Sequence, residues 1–331
     1  MQLNFDRLIS LFRSKNLLCI ILVPLAAVLL WLTPLLNPPT ADVQFSMPLF
    51  TKIFDALRFN WEVKIVLAVV LVLAMAFLLN YISTENELTA NNYLSAFMFV
   101  VLCSSSINIQ KLNAELFANL FLMLALWRIF NMYKTDGAIR PPFDAGLLIS
   151  IASFFYFPAI GMVIMLYIAI AMLRPFHWRD FAVATLGIII PYLYLSVYYF
   201  WFDKLPYFWN HYIAEPFLIR NLNFNPNFTD YWLVGIIALL VLVSLFDNFT
   251  NPTLNRSIRR RKYLNVMVVY LMVSFGCFVL TPDWSPMHFV ISALPLSVFF
   301  SNFLLSFKFN YFPEAILWML LIVIAANQFG L

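Results

Sequence analysis

Ionisable side chains that could perform acid–base chemistry or bind a phosphate are confined to a few polar segments between long apolar runs. A carboxylate can deprotonate an acceptor hydroxyl, and a histidine or an arginine can bind a phosphate. The carboxylates Asp42 and Asp55 are the candidate catalytic bases. The candidate substrate-binding residues lie in later segments: His211, Glu215, Arg220, Asp283 and His288. For each residue taken alone, an ordinary loop charge remains the alternative.

Strong catalytic motifs are absent, because the sequence has no phosphate-binding glycine loop and no HExxH, GxSxG or CxxC pattern. The cysteines Cys19, Cys103 and Cys277 lie far apart in apolar surroundings and are predicted to be packing thiols. Glu115 is expected near a helix start, where the helix dipole alone stabilises a carboxylate. The sequence therefore predicts no metal site and identifies no cofactor.

The composition is that of an integral membrane protein. Hydrophobic residues make up 63% of the chain and charged residues 11%, with a mean hydropathy of +0.86. Soluble domains contain about 45–50% apolar and about 25% charged residues. Short polar loops cut the apolar material into segments near twenty residues, which is typical of helices and not of barrel strands. We expect one membrane domain over 1–331, with membrane lipids around it and no nucleic-acid partner.

The hydropathy pattern predicts an all-α polytopic transmembrane bundle of about eleven helices. An interfacial helix at 1–16 comes first, and the two long loops are 37–63 and 203–230. The spans are 16–36, 64–83, 93–109, 112–133, a hairpin of two short helices at 144–173, 181–202, 231–247, 263–280, 288–307 and 314–327. Loops as long as these two are more often functional than the short ones.

The run at 143–173 decides the topology. As one helix its roughly 30 residues would reach about 45 Å, against about 30 Å for the bilayer core. Pro158 in its middle favours a break. If the run crosses and returns, 14 of the 20 basic residues share the side of the N-terminus. Those left opposite are Lys52, Arg58, Lys64, Lys111, Lys204 and Arg220.

The alternative topology, with one span at 143–173, would leave only 8 basic residues beside the N-terminus and 12 opposite. Because basic residues favour the cytoplasmic side, the pattern predicts a cytoplasmic N-terminus, an external C-terminus and two external long loops. The strongest basic block, RSIRRRK at 256–262, is interpreted mainly as a topology determinant and secondarily as a lipid-phosphate site. The aromatic cluster Tyr207, Phe208, Trp209 and Tyr212 suits an interfacial anchor, or else a sugar or an isoprenoid chain.

Four phrases carry a resemblance to an uncharacterised family of polytopic inner-membrane proteins of Gram-negative bacteria. They are NAELFANLFLMLALWRIF, FDAGLLISIASFFYFPAIGMVIMLYIAIAMLRPFHWRD, GIIIPYLYLSVYYFW and HFVISALPLSVFFSNF, in this order. The resemblance implies an inner-membrane location and no activity. Members sometimes carry the label of carotenoid monooxygenases. Such an oxygenase needs several histidines for iron, whereas the three here fall on both sides of the predicted membrane.

The layout is also similar to the GT-C glycosyltransferases, which use lipid-linked sugars. The resemblance implies an acidic catalyst in the first long loop, here Asp42 or Asp55, a helical pair at 146–174 and a late span around Pro295. Two features depart from that family: the double-acidic signature is missing, and His288 stands where an Arg-Tyr pair is common.

The sequence leaves three functional hypotheses open. The first is a transferase at the periplasmic face that moves a sugar from a polyprenyl-phosphate donor to an acceptor. The second is a non-enzymatic scaffold or subunit of an envelope complex, with envelope proteins as partners. The third is a transporter or flippase, for which broken helices with polar groups at mid-membrane would be expected.

Overall fold

The computed structural model describes residues 8–13, 18–36, 47–56, 60–89, 93–107, 109–133, 137–214, 228–250, 257–278, 286–307 and 311–329. Four short helical pieces lie at Phe157–Gly161, Leu205–Tyr207, Phe208–Ala214 and Pro286–His288. The described ranges also contain fourteen α-helices of five or more residues. They are α1 (Leu8–Arg13), α2 (Leu18–Leu30), α3 (Leu32–Leu36), α4 (Pro48–Ala56), α5 (Trp61–Glu85), α6 (Leu94–Cys103), α7 (Ala114–Phe130), α8 (Arg140–Phe155), α9 (Met162–Leu173), α10 (Trp178–Trp201), α11 (Phe228–Thr250), α12 (Ile258–Cys277), α13 (Phe289–Ser306) and α14 (Tyr311–Phe329).

Among the described residues, four helical stretches are long and apolar enough to cross a membrane: Trp61–Glu85, Trp178–Trp201, Phe289–Ser306 and Tyr311–Gln328. Shorter apolar helices run over Leu18–Leu30, Leu94–Cys103, Phe157–Leu173 and Gly235–Asn248. The described elements are all helical. The chain is therefore a membrane protein, and the predicted all-α transmembrane bundle is confirmed. The number of crossings and the sidedness of the termini stay predictions.

Two helices form the centre of the bundle. All ten residues of α6 are buried, and so are most residues of α13, from Val290 to Leu304. Helices that are apolar on every side are typical of such central positions. By contrast, only 11% of the residues in the most apolar stretch of α10 are buried inside the protein. Because exposed apolar surface of this kind suits lipid, α10 lies at the edge of the bundle.

The predicted first span is broken at Trp31, between α2 and α3. Pro34 lacks the N–H that would donate to the carbonyl of Leu30, and its ring disfavours a continuous helix there. The side-chain amide of Gln110 donates to Leu30 O instead, over 2.9 Å. The break thus follows from one proline, and a side chain from another part of the chain satisfies the freed carbonyl.

Helices α8 and α9 run in opposite directions, as in a hairpin. The first ends at Phe155, Tyr156 is extended (φ −142°, ψ 104°), and the short 3-10 helix Phe157–Gly161 leads into α9. At the end of α9, Arg174 donates from Nε to Met132 O and from Nη1 to Ala138 O, each over 3.1 Å. Both carbonyls lie just before α8 begins, so the chain returns to the side from which it left.

Side-chain contacts group the helix termini at two ends of the bundle. At one end, Arg260 and Asn302 both donate to Leu88 O, and the hydroxyl of Tyr263 donates to Phe130 O. The structure describes the side chains of twelve basic residues. Eight of them lie at this end, which we therefore call the basic end: Arg128, Arg140, Arg174, Arg179, Arg259, Arg260, Arg261 and Lys262.

The other end is called the aromatic end, after the buried cluster Met47, Phe157, Tyr199, Phe208 and Tyr212. Four described basic residues belong to it: Lys52, Lys64, Lys111 and Lys204. Helix α4 also lies at this end, where Phe50 contacts Phe117 with ring centroids 6.2 Å apart. The excess of basic residues at one end agrees with a cytoplasmic basic end, so we expect the aromatic end to face outward.

Candidate functional site

The predicted site residues fall into three groups. His288 has a described side chain. Asp55 lies in α4, and His211 lies in the helical turn Phe208–Ala214 at the aromatic end. The remaining predicted residues, Asp42, Glu215, Arg220 and Asp283, lie outside the described residues. The roles predicted for all seven residues stay predictions, and His288 is the one around which geometry can be built.

His288 and Tyr156 form a buried pair at the aromatic end. Their Nε2 and hydroxyl atoms are 2.7 Å apart and share a hydrogen bond, with the donor set by the histidine tautomer. His288 is 7% exposed and lies between the rings of Tyr156 and Phe278, each 5.0 Å away between centroids. The pair joins the hairpin turn to the start of α13, over 132 residues of sequence.

Helix α7 brings two more polar side chains to this end. Its N-cap residue Asn113 accepts from the N–H of Leu116 over 3.0 Å. Asn119 donates to the carbonyl of Val290, in the first turn of α13, over 2.9 Å. Glu115 lies one turn before Asn119 on the same helix face and is 4% exposed. Glu115 Oε2 and Asn119 Oδ1 are buried acceptors that have no hydrogen-bond partner among the described residues.

Three helix starts lie at this end of the bundle. Tyr156 is the N-cap residue of the 3-10 helix, His288 is that of α13, and Asn113 is that of α7. The start of a helix carries a partial positive charge and unpaired N–H groups, which favour an anion. Tyr156 is hydrogen-bonded to His288, and Asn119 to Val290, so both the 3-10 helix and α7 are tied to the start of α13. The arrangement suits a ligand in which a phosphate lies next to a group that carries hydroxyl donors.

The aromatic cluster adjoins this arrangement, since Phe157 of the cluster directly follows Tyr156. The rings of Tyr199 and Phe208 stack with centroids 5.0 Å apart, and Tyr212 lies 6.0 Å from Tyr199. Of the four aromatic residues singled out in the sequence, Phe208 and Tyr212 are buried, whereas Tyr207 and Trp209 are exposed. Two of these four rings are therefore packed inside the protein and two are exposed, as expected where a protein meets a membrane interface.

A second polar network at the same end ties α2, α6 and α14 together. Trp31 Nε1 donates to Ser104 Oγ over 3.0 Å, and Gln328 Nε2 donates to Ser104 O over 2.8 Å. Thr33 donates to the side-chain oxygen of Gln328 over 3.3 Å. These hydrogen bonds satisfy groups freed at helix ends, and the network holds the last helix against the first.

Metal chemistry has no support in the part of the chain that the structure describes, which contains no group of three or more histidine, cysteine or acidic side chains. The three cysteines are buried and separate. Burial as core thiols agrees with their predicted role in packing.

Sequence reasoning missed Tyr156 and Asn119 and underrated Glu115. Asn119 had a weak signal, because an amide inside an apolar span is costly unless it is bonded. Tyr156 had a similar signal, since it lies two residues before the predicted break at Pro158. Glu115 was explained by the helix dipole alone, and only the structure reveals that its carboxyl group is buried.

Comparisons with known proteins give one match. No curated protein and no solved structure matches the chain, so the similarity to GT-C glycosyltransferases has no support from these sources. The sequence model of a family of unknown function, DUF6427, matches residues 40–330 and so covers most of the chain. This agrees with the predicted resemblance to an uncharacterised family. The protein belongs to the DUF6427 family, whose function is unknown.

Proposed function

We propose that this membrane protein is a transferase of the bacterial inner membrane that acts on a polyprenyl-phosphate-linked sugar at the periplasmic face. The observation that carries the proposal is the buried Tyr156–His288 pair, which joins two helix starts at the aromatic end. An imidazole beside helix starts suits the phosphate of a lipid-linked donor. The excess of basic residues at the opposite end supports an external position for this end.

The surroundings of the pair fit a substrate that is half lipid and half sugar. Helix α4 lies against the start of α7 through Phe50 and Phe117, and Phe117 stacks on Phe155 at 5.3 Å. These rings form a row that ends at the buried Phe155, the residue before Tyr156. Aromatic rings of this kind suit an isoprenoid chain or the face of a sugar ring. Membrane lipids would be the neighbours of the same row.

The chemistry assigns each predicted residue a step. Asp42 or Asp55 removes the proton from the acceptor hydroxyl, whose oxygen attacks C1 of the sugar. The bond between C1 and the phosphate oxygen breaks, and polyprenyl phosphate leaves with the bonding electrons. His288, together with Arg220 or His211, stabilises the negative charge on the leaving phosphate. Glu215 and Asp283 bind sugar hydroxyls, and no metal or other cofactor takes part in this proposal.

Replacement of His288 by alanine is expected to lower the amount of glycosylated product in cells at least about tenfold, because a charge-assisted contact to phosphate contributes about 1.5–3 kcal/mol. Tyr156→Phe keeps the ring and loses the hydroxyl, so a smaller decrease is expected. The measurement is mass spectrometry of lipid-linked and surface glycans in cells that lack the protein and carry each variant. His177→Ala is the matched control, because His177 is exposed at the basic end.

The deletion strain decides whether the transferase proposal stands. Accumulated lipid-linked sugar in that strain and in cells with Asp42→Asn or Asp55→Asn would support it. Unchanged glycans in the deletion strain would contradict it. If His177→Ala lowered the amount of product as much as His288→Ala does, the result would contradict a specific role of His288 in phosphate binding.

A scaffold in an envelope complex is the second candidate, and the exposed side of α10 favours it. Tyr194 and Trp201 lie seven residues apart on one face of α10 and are 72% and 80% exposed. A partner helix could cover this aromatic face, although lipid would cover it equally well. Unchanged glycans in the deletion strain, together with an envelope protein that crosslinks to a photoreactive residue at position 194, would favour the scaffold.

A further inference from the structure

The basic block at the start of α12 has an unfavourable local electrostatic arrangement. The helix begins at Ile258, and its N-cap Ser257 accepts from the N–H of Arg260 over 3.2 Å. Four cations in succession occupy the first turns, from Arg259 to Lys262, and the first turn contains no acidic residue. The start of a helix already carries a partial positive charge, so each cation there is destabilised by a few tenths of a kcal/mol or more.

The described contacts of Arg259 and Lys262 are with neutral groups. Arg259 donates to Asn86 Oδ1 and to the hydroxyl of Tyr263, each over 3.2 Å. Lys262 lies 5.7 Å from the ring centroid of Tyr133. The side chain of Arg261 is exposed and has no hydrogen bond or ion pair with the described residues. Arg259 and Lys262 therefore contact neutral groups, whereas the exposed side chain of Arg261 is available to bind an anion.

Two carboxylates lie beside the block, because Glu85 and Glu87 flank Asn86, which accepts from Arg259. Glu85 accepts from the indole of Trp127 over 3.1 Å, and Glu87 is exposed in the turn after α5. The two described ion pairs join other residues of the basic end, Arg128 with Asp144 and Arg174 with Asp180. Among the described residues, Arg259, Arg261 and Lys262 form no ion pair, so their positive charge remains available to an anion.

The apolar side of α12 indicates what kind of anion fits. Ile258, Arg261, Val268, Met272 and Phe275 recur at spacings of three, four and seven, so they lie along one side of the helix. Met272 is 63% exposed and Phe275 is 43% exposed. An acyl chain could lie along this strip while a phosphate contacts Arg261 at its top. A soluble anion would use only the charged part.

We propose that Arg259, Arg261 and Lys262 bind the phosphodiester of an anionic phospholipid at the basic end, with its acyl chain along the exposed side of α12. Juxtamembrane basic clusters attract anionic lipid by about 1 kcal/mol per Lys or Arg, which corresponds to about fivefold in affinity. This site is separate from the aromatic end and does not depend on the proposed transferase activity.

The test is to titrate phosphatidylglycerol or phosphatidylcholine into the purified full-length protein in detergent and to count bound lipids by native mass spectrometry. The wild-type protein is expected to bind phosphatidylglycerol more tightly than phosphatidylcholine. Arg261→Gln should weaken phosphatidylglycerol binding about fivefold, and Arg261→Glu about 25-fold, since each unit of charge contributes about 1 kcal/mol. Because Arg261 is exposed, both variants are expected to fold.

Arg179→Gln is the matched control, because Arg179 is also an exposed arginine in the first turn of a helix at the basic end. It should leave the affinity nearly unchanged. Equal weakening by Arg179→Gln and Arg261→Gln would overturn the site in favour of general surface charge. Equal binding of the two lipids would overturn it as well. Full displacement of phosphatidylglycerol by inorganic phosphate at matched ionic strength would show that the occupant is a soluble anion, which also contradicts the proposal.

Discussion

Replacing Gly187 by alanine is expected to destabilise the protein by about 3 kcal/mol. Helices α8 and α10 cross with their backbones in contact, and a Cβ at position 187 would lie 2.3 Å from the carbonyl oxygen of Phe143. At position 146, it would lie 2.4 Å from the carbonyl oxygen of Ala184. Neither obstacle is a flexible side chain, so the helices must separate and their packing is lost. Overpacking of this kind costs about 1–3 kcal/mol.

The measurement is the thermal unfolding of each variant in detergent, with the folded fraction followed by size-exclusion chromatography. Gly235→Ala and Gly276→Ala are the controls, because an added Cβ meets nothing within 4 Å at either position. Alanine has the higher helix propensity by about 1 kcal/mol, so both controls should be unchanged or slightly more stable. A Gly187→Ala variant as stable as these controls would mean that the two helices are not in backbone contact.

The glycines illustrate which parts of the fold the sequence could predict. The length of the run at 143–173, Pro158 and the distribution of basic residues predict two short helices in that segment, because each is a local or a summed property. The contact of Gly187 with Phe143 cannot be predicted from such properties. In lipid the outer faces of helices are as apolar as the inner ones, so hydrophobic periodicity does not say which face meets which neighbour.

The candidate site was harder to predict for the same reason. His288 was singled out because it flanks a turn, but its partner Tyr156 is 132 residues away and belongs to a helix break. The burial of Glu115 depends on α13, which meets α7 through Asn119 and Val290. A carboxylate in the first turn of a helix has the same sequence signal whether a neighbouring helix covers it or not. Contacts between helices that are distant in sequence therefore form the site. The sequence predicted its charged residues but not these contacts.

Replacing Asp180 by asparagine is expected to destabilise the protein by about 3 kcal/mol or more, because it removes a carboxylate that pairs with the buried guanidinium of Arg174. The two side chains are 1% and 12% exposed and form an ion pair of 3.1 Å at the basic end. Breaking a buried ion pair costs about 3–5 kcal/mol, whereas an exposed pair contributes about 1 kcal/mol or less.

The exposed pair Arg128–Asp144, with side chains 42% and 34% exposed, provides the matched control. Asp144→Asn should lower the unfolding temperature much less than Asp180→Asn in the same detergent assay. Arg174→Met should be at least as harmful as Asp180→Asn, because Arg174 also donates to Met132 O and Ala138 O and so fixes the end of α9 beside the start of α8. Equal effects of the two asparagine variants would contradict the argument from burial. An Arg174→Met variant that stays fully stable would mean that the hairpin does not need this arginine, and that helix packing alone makes the chain turn back.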